Sequence, residues 1–498
     1  MISPWVVLAV VGVYFSVLII ISRITSRNSG NEDFFIGNRE SPWYVVAFGM
    51  IGATLSGVTF ISVPGWVGDS QFSYLQMAIG YIFGYLVIAY VLMPTYYKLG
   101  LTSIYGYLDQ RFGVSSYKTG AAYFLLSRVI GASFRLFLVA IVLQQYLMTP
   151  LGVPFWITVA LTIILIWVYT SKGGIKTIIW TDTIQTLSII LVLIATIISI
   201  MGFFDWGIRD MVTAVSTSEN SQIFFFDGGW SDPNNFWKQF LSGMFITIVM
   251  TGLDQDMMQK NLSIRSIGDA QKNMNTFNIV LFFVILLFLI MGALLYMYAE
   301  ANGIGIPNRI VGDEAVPSTD LLFPTIAMEH LGPAVGVLFL IGLIAAAYSS
   351  ADSALTSLTT SFCIDFLNFE KSEATDKKKE QTRKIVHVSF SILLFIAIQI
   401  FWWINDEAVI SSLFKVAGYT YGPLLGLFAF GFYSKRTIVD KWAPVICVLA
   451  PVLSFILNLN SEKWLNGYQF GFELLLVNGA LTIIGLFIVS RKVPKVQS

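Results

Sequence analysis

Runs of about 20 apolar residues recur along the whole chain, and this pattern constrains the fold more than any other feature. A run of that length crosses the hydrocarbon core of a bilayer as one α-helix. Only 12% of the 498 residues are charged, against about 25% in a soluble globule. We therefore predict an all-α integral membrane protein. The runs place about thirteen spans, at 5–22, 42–65, 74–97, 118–148, 153–170, 177–203, 238–260, 276–300, 334–364, 385–404, 408–433, 441–459 and 468–490.

The lysines and arginines outside these spans predict the orientation. With the N-terminus outside the cell, nearly all of them, Lys260 included, fall at cytoplasmic ends, as the positive-inside rule requires. The outer side then holds only Arg209, Lys238, Arg309 and Lys463. The first run has no basic leader and no small-residue cleavage site, so it is predicted to be retained. We expect a multi-pass protein of the inner cell membrane with a cytoplasmic C-terminus.

Composition and motifs exclude several function classes. The net charge is zero, which gives no support for a nucleic-acid partner. The two cysteines and two histidines make neither a disulfide framework nor a metal cluster. No phosphate-binding GxxxxGK[ST] loop and no nucleophile–base constellation occurs, so we predict a protein that is not an enzyme and needs no cofactor.

Two spans are interrupted by small and polar residues. The second contains GATLSGVTFISVPG, and the seventh contains MTGLDQD. Unwound backbone is tolerated at membrane depth only where it faces protein or a water-filled cavity. The two spans lie five apart, as in inverted repeats of two five-helix units, whose paired broken helices bind substrate and ions. The alternative is that the small residues only allow close helix packing.

Two aspartates lie inside predicted spans. Asp182 is about one turn into the sixth span, and Asp352 shares a helix face with Ser349, Ser353 and Thr356. Intramembrane carboxylates are costly and default to functional candidates, and hydroxyls beside them make a hard-oxygen surface that suits a hard cation. The alternative is simple helix packing, with Asp352 paired to an arginine or lysine.

Three cations within spans have several possible partners. Arg128 and Arg135 lie two turns apart on roughly one face of the fourth span. We expect Arg128 to be structural, paired with Asp182, and Arg135 to lie near the midplane and bind a substrate carboxylate. In the alternative, Arg135 pairs with a buried aspartate. Lys415 would add a second positive group or neutralise Asp254.

Seven motifs, in order along nearly the whole chain, resemble the sodium:solute symporter family. They are NEDFFIGNRESPW, ATLSGVTFISVPG, YGYLDQRFG, KGGIKTIIWTDTIQ, DQDMMQK, AAAYSSADSALTS and YGPLLGLFAFGFYSKR. The resemblance implies a leucine-transporter-like 5+5 inverted repeat in a single transmembrane domain. Its ten-helix core would span 42–433, with a leading helix at 5–22 and two trailing helices within 441–490.

The resemblance also implies site residues. The first sodium site would use carbonyls of Gly52, Leu55 and Ala346 with the hydroxyls of Ser349 and Ser350. A second would use Asp182, Ser349, Asp352 and Ser353. Because the sialic acid branch has serine where this chain has Asp352, that carboxylate would strengthen sodium binding or carry a proton instead, and the number of coupled ions stays open. The implied substrate set is Thr54, Ser56, Thr59, Tyr74, Gln76, Arg135, Asp254 and Lys415.

These observations predict a sodium-coupled symporter that imports a small polar solute bearing a carboxylate, sialic acid or another organic acid. Its partners would be the solute, sodium ions and the bilayer, and it would act as a monomer. The segment DSQFSYLQM lacks the glutamate of galactose symporters, which disfavours the alternative of a sodium/sugar or polyol symporter. A solute sensor of the same fold is a further alternative. It is disfavoured because the sequence predicts no signalling domain. A channel is disfavoured because no repeated pore loop occurs.

Overall fold

The computed structural model describes residues 4–27, 30–311, 314–404 and 407–491. Within these ranges, side chains at 4–7, 58, 309–311, 314 and 407–417 lie outside the description. The described chain is predominantly helical. Its helices are α1 Pro4–Thr25, α2 Asn31–Ile36, α3 Trp43–Thr54, α4 Gly57–Ser70, α5 Tyr74–Val87, α6 Met93–Lys98, α7 Gly106–Arg111, α8 Val114–Leu143, α9 Phe155–Thr170, α10 Ile175–Phe203, α11 Ile208–Thr217, α12 Phe236–Thr247, α13 Gln255–Leu262, α14 Ile267–Ala301, α15 Leu322–Thr325, α16 Pro333–Ser361, α17 Asp376–Ile404, α18 Glu407–Tyr433, α19 Ala443–Leu459, α20 Ser461–Trp464 and α21 Leu474–Ile488.

Besides the helices, the described chain contains two short antiparallel ribbons. Strand β1 (Asn308–Val311) pairs with β2 (Glu314–Pro317), and β3 (Thr437–Ile438) pairs with β4 (Ser490–Arg491). The second ribbon joins the end of α18 to the end of α21. The two long loops hold short helices: α11 is mostly exposed, whereas Leu322, Phe323 and Pro324 of α15 are buried.

Eight described helices are long and apolar enough to cross a membrane, or up to ten if each of two bent pairs is one span. Every predicted span overlaps a helix. Two of these helices, α9 and α21, are shorter apolar segments, and part of α18 has side chains that are not described. The count of thirteen, the inverted repeat and the domain limits therefore stay predictions.

The two bent pairs are the spans that the sequence predicted to be broken. Helices α3 and α4 meet at 56°, because Leu55 (ψ 71°) and Ser56 (ψ 167°) leave the helical conformation. The end of α12 and the start of α13 meet at 63°, where Asp254 is extended and its side chain caps α13 by accepting from the Asp256 backbone N–H. Both predicted interruptions are confirmed.

Helix α16 forms the centre of the packing around these breaks. It is buried without interruption from Gly342 to Ser361, and it contacts α3, α8 and α10. Gly52 of α3 permits the closest approach, because a Cβ there would lie 2.3 Å from the hydroxyl of Thr186 on α10. The first break therefore packs between α10 and α16.

Two lysines that the charge pattern assigned to membrane surfaces are buried instead. Lys260, predicted at a cytoplasmic end, has a side chain that is only 1% exposed. Lys238, predicted on the outer side, is buried and lies 3.2 Å from Glu473. Burial in an ion pair does not contradict the side of the membrane assigned to either lysine, and both assignments stay predictions, since the positive-inside rule counts charges by sequence position only.

The predicted orientation is testable by cysteine labelling in intact cells. Both native cysteines, Cys363 and Cys447, are buried, so background labelling should be low. Ser231→Cys, at an exposed position of the long loop before α12, should react with a membrane-impermeant maleimide. Glu373→Cys, exposed before α17, should react only after permeabilisation. The opposite labelling pattern would invert the topology.

Candidate functional site

A side-chain hydrogen bond from Ser349 connects α16 to the break between α3 and α4. The hydroxyl of Ser349 donates to the carbonyl of Gly52 at 3.0 Å and lies 3.4 Å from that of Ala346. The neighbouring hydroxyl of Ser350 is buried and has no hydrogen-bond partner among the described residues. Leu55 lies at the break itself. The structure therefore brings together the residues predicted for the first sodium site.

This cluster fits a sodium ion by its chemistry. Carbonyl and hydroxyl oxygens are hard ligands, and none of the five residues is charged. A buried hydroxyl without a partner costs stability unless something fills its coordination, and Ser350 is in that position. When bound, sodium would supply one positive charge between the unwound backbone and α16.

Asp182 is paired with Lys260. The Lys260 Nζ lies 2.6 Å from Oδ2 of Asp182, and both side chains are at most 1% exposed. The expectation that Arg128 pairs with Asp182 is therefore wrong. The misassignment has a simple cause: Lys260 follows the second break, and the sequence does not show that α13 turns inward against α10.

Asp352 accepts hydrogen bonds at both carboxylate oxygens. The hydroxyl of Tyr169 donates to Oδ2 at 2.8 Å, and the backbone N–H of Ser353 donates to Oδ1 at 2.5 Å. No described lysine or arginine lies within ion-pairing distance of Asp352. Several buried oxygens nearby lack hydrogen-bond partners among the described residues: Oδ1 of Asp182 and the hydroxyls of Ser353 and Thr356.

Arg128 pairs with the two aspartates at the second break. Its guanidinium contacts Asp256 and lies 3.9 Å from Asp254. Asp254 also accepts from the hydroxyl of Tyr421 at 2.8 Å. Asp254, included in the predicted substrate set, is therefore committed to an ion pair, a helix cap and a tyrosine. Its pairing with Arg128 also removes the need for Lys415 to neutralise it.

The backbone of Arg135 lies beside the first break, and its guanidinium forms no ion pair with a described carboxylate. Among the described residues, no carboxylate lies within 4.0 Å of its guanidinium and no atom accepts a hydrogen bond from it. Its turn of α8 packs on the start of α4, where a Cβ on Gly57 would meet Val139 at 2.3 Å and the Arg135 carbonyl at 3.7 Å. The side chain is half-buried, which leaves its charge available to a ligand.

The other predicted substrate residues divide between the break and the outer loop. Thr54, Ser56 and Thr59 flank the break, and the buried hydroxyl of Thr54 has no hydrogen-bond partner in the described chain. Gln76 instead holds the loop before α12: its amide donates to Asn234 at 2.8 Å and accepts from Phe225 at 3.1 Å.

Two members of the predicted substrate set remain. The hydroxyl of Tyr74 lies 3.1 Å from that of Tyr81, and its ring meets the Trp66 ring edge-on. This aromatic group lies at the far end of α4 from the break. Lys415 belongs to the residues whose side chains lie outside the described part of the chain.

Sequence reasoning missed three residues that complete these contacts. Tyr169 reaches Asp352, Lys260 reaches Asp182, and the hydroxyl of Thr186 accepts from the backbone N–H of Gly52 at 2.9 Å. Thr186 lies one turn beyond Asp182 on α10, so helical spacing was a usable signal for it. Tyr169 had no such signal, because α9 is otherwise an ordinary apolar helix.

Comparison with known proteins identifies the family. The sequence model of the sodium:solute symporter family matches residues 34–439. The chain belongs to this family. It is 26% identical to the sodium/sialic acid symporter SiaT of Proteus mirabilis over 88% of the chain and 86% of that protein. It is 25% identical to the sodium/sialic acid symporter NanT of Aliivibrio fischeri, over 93% and 87%.

A solved structure shows the same fold. A substrate-bound, outward-open sodium-coupled sialic acid symporter superimposes with a TM-score of 0.82 at 22% identity, covering 98% of this chain and 99% of that one. The family assignment makes this sodium:solute symporter a multi-pass membrane transporter with sodium as its coupling ion. It is not an enzyme, as predicted. Among the described residues, no cluster of His, Cys, Asp and Glu forms a metal site.

The Arg128 ion pair should carry much of the stability of the second break. Arg128→Met would leave two buried carboxylates without their cation, which typically costs about 3–5 kcal/mol. We expect a clearly lower melting temperature of the purified protein in detergent. Lys272→Met is the matched control, because Lys272 pairs with Asp269 at an exposed position and should change melting little. Equal melting of both variants would show that the Arg128 pair is dispensable.

Proposed function

We propose that this symporter couples sodium to the import of a small polar solute bearing a carboxylate, with Arg135 as the anchor of that carboxylate. The observation that carries the proposal is the guanidinium of Arg135, which has no carboxylate within 4.0 Å in the described chain, on a turn of α8 whose backbone lies against the start of α4. Two of the matched relatives are named for sialic acid, a carboxylic acid, and this supports the same substrate class here.

The energetics favour an anionic ligand at Arg135. A guanidinium within a membrane span costs several kcal/mol unless a partner offsets it, and Arg128 already takes both neighbouring aspartates. The planar guanidinium meets a carboxylate through two parallel hydrogen bonds. A substrate carboxylate would therefore complete the site. Thr54, Ser56 and Thr59 flank the break and would supply hydroxyls to the polar remainder of the solute.

Sodium would bind at the first site, through Gly52, Leu55, Ala346, Ser349 and Ser350. This set includes backbone from the break that also borders Arg135. Sodium and the substrate carboxylate would then enter the same region as an electroneutral pair, which lowers the cost of burying either charge. We retain as proposals the ten-helix core at 42–433, the outside N-terminus, the inner-membrane location and the monomer.

Loss of one sodium ligand should weaken sodium activation. A hydrogen bond or similar contact to a charge contributes roughly 1.5–3 kcal/mol, so Ser350→Ala should raise the sodium concentration for half-maximal uptake about tenfold or more. Ser357→Ala is the matched control. Ser357 is equally buried on α16, but its hydroxyl donates to the carbonyl of Ala354 on its own helix. Uptake that is equally fast in choline buffer would remove sodium from the mechanism.

The substrate role of Arg135 predicts selective loss of acid transport. Arg135→Ala and Arg135→Lys should both abolish uptake of radiolabelled N-acetylneuraminic acid by proteoliposomes, because neither offers the planar two-point contact. Sodium-dependent thermal stabilisation should be nearly unchanged, since the first sodium site contains no atom of Arg135. Arg209→Ala, an exposed arginine of α11, serves as the control and should transport normally.

Two outcomes would contradict the anchor assignment. Uptake by Arg135→Ala at the wild-type rate would make Arg135 a structural residue. Preference of the wild-type protein for a neutral sugar or polyol over a panel of organic acids would favour the alternative substrate class. Absence of transport of any solute, with sodium binding retained, would favour the sensor.

A further inference from the structure

The position predicted for a second sodium ion already contains a positive charge. The ammonium of Lys260 lies 2.6 Å from Asp182 Oδ2, and both side chains are almost wholly buried. An ammonium carries the same charge as sodium, and it satisfies carboxylate oxygens by donating hydrogen bonds instead of by coordination. The residues predicted to bind a second sodium ion therefore already have a cation beside them, and that cation is a side chain of the protein.

The backbone around Lys260 is firmly positioned. All eight residues of α13 are buried. Next to Lys260, the Gln259 amide donates to the carbonyl of Phe35 at 2.6 Å and to the hydroxyl of Thr360 on α16 at 2.9 Å. The Lys260 carbonyl accepts from the hydroxyl of Ser263 at 2.6 Å. The side chain therefore extends from a fixed point, and its charge cannot leave the site as a dissolved ion does.

Lys260 also acts on the other carboxylate of the predicted set. Asp352 lies close enough to Asp182 and Lys260 to interact electrostatically with both. Its two oxygens already accept hydrogen bonds from Tyr169 and from the Ser353 backbone. The Lys260 ammonium thus contacts the carboxylate of Asp182 and interacts electrostatically with that of Asp352, which is hydrogen-bonded by neutral donors.

We propose that Lys260 is a tethered cation that replaces the second sodium ion, so that this symporter binds one sodium ion and not two. The inference rests on the proposed sodium coupling through the first site. It makes Lys260 the residue that sets the ion stoichiometry, because removal of its ammonium would leave two buried carboxylates and the unpartnered hydroxyls of Ser353 and Thr356. Such a group of oxygens is suited to a sodium ion.

Sodium binding to the purified protein tests this without knowledge of the substrate. The number of bound ²²Na⁺ ions and the Hill coefficient of sodium-dependent thermal stabilisation are measured in detergent. Because a Hill coefficient cannot exceed the number of sites, the wild type should bind one sodium with a coefficient of about 1. Lys260→Met should bind two, with a coefficient rising towards about 2. Lys272→Met, which removes an exposed lysine, should match the wild type.

Further variants locate the added ion. Lys260→Met combined with Asp182→Asn should return the count to one, because the new site loses a carboxylate. Asp352→Asn in the wild-type background should leave the count at one. Two bound sodium ions in the wild type, or an unchanged count in Lys260→Met, would overturn the inference. The wild-type measurement decides even if Lys260→Met fails to fold.

The same experiment separates this inference from the proposed function. Absence of any saturable sodium binding to the wild type would refute sodium coupling at the first site. Saturable binding of two ions would leave sodium coupling intact and refute only the role of Lys260.

Discussion

The unwound backbone between α3 and α4 is the constraint on which the rest of this structure depends. In a bilayer each unsatisfied peptide group costs several kcal/mol, so irregular backbone must be met by protein or by a ligand. Here Thr186 of α10 accepts from the N–H of Gly52, and Ser349 of α16 donates to its carbonyl. Because both partners are hydroxyls at tight helix contacts, the break is held open between two fixed helices.

The second break is held by buried ion pairs in addition to hydroxyls, which come from tyrosines that donate to Asp254 and to the carbonyls of Gly252 and Leu253. Arg128 of α8 contacts the aspartates at the start of α13, while Lys260 at the other end of α13 contacts Asp182 of α10. Each is a buried pair, which is costly to break because a charge would be left alone. The short helix α13 is therefore fixed to two spans at once. With these acids taken, the guanidinium of Arg135 has no carboxylate within 4.0 Å in the described chain, which supports its proposed role as a substrate anchor.

Sequence patterns predicted the helices and their interruptions well, but not the pairing of buried charges. Small and hydroxyl residues in GATLSGVTF and the aspartates after MTG correctly marked both breaks, because helix interruption is a local property of the chain. Arg128 and Arg135 lie on one helix face, so periodicity gave no means to decide which would meet an acid. The prediction that Arg128 is structural was right, yet its partners lie at the second break and not at Asp182.

What the sequence by itself determined is the membrane as solvent, the apolar helices, both breaks and the hydroxyl-bearing face of α16. Hydropathy and helical spacing are properties of neighbouring residues, and they survive any arrangement of the helices. Only the tertiary structure decided that Lys260 pairs with Asp182 and that Tyr169 donates a hydrogen bond to Asp352. It also decided that Gln76 is hydrogen-bonded to the loop before α12. These contacts join residues 78 to 183 positions apart, and which charges meet depends on how α13 turns inward at its break.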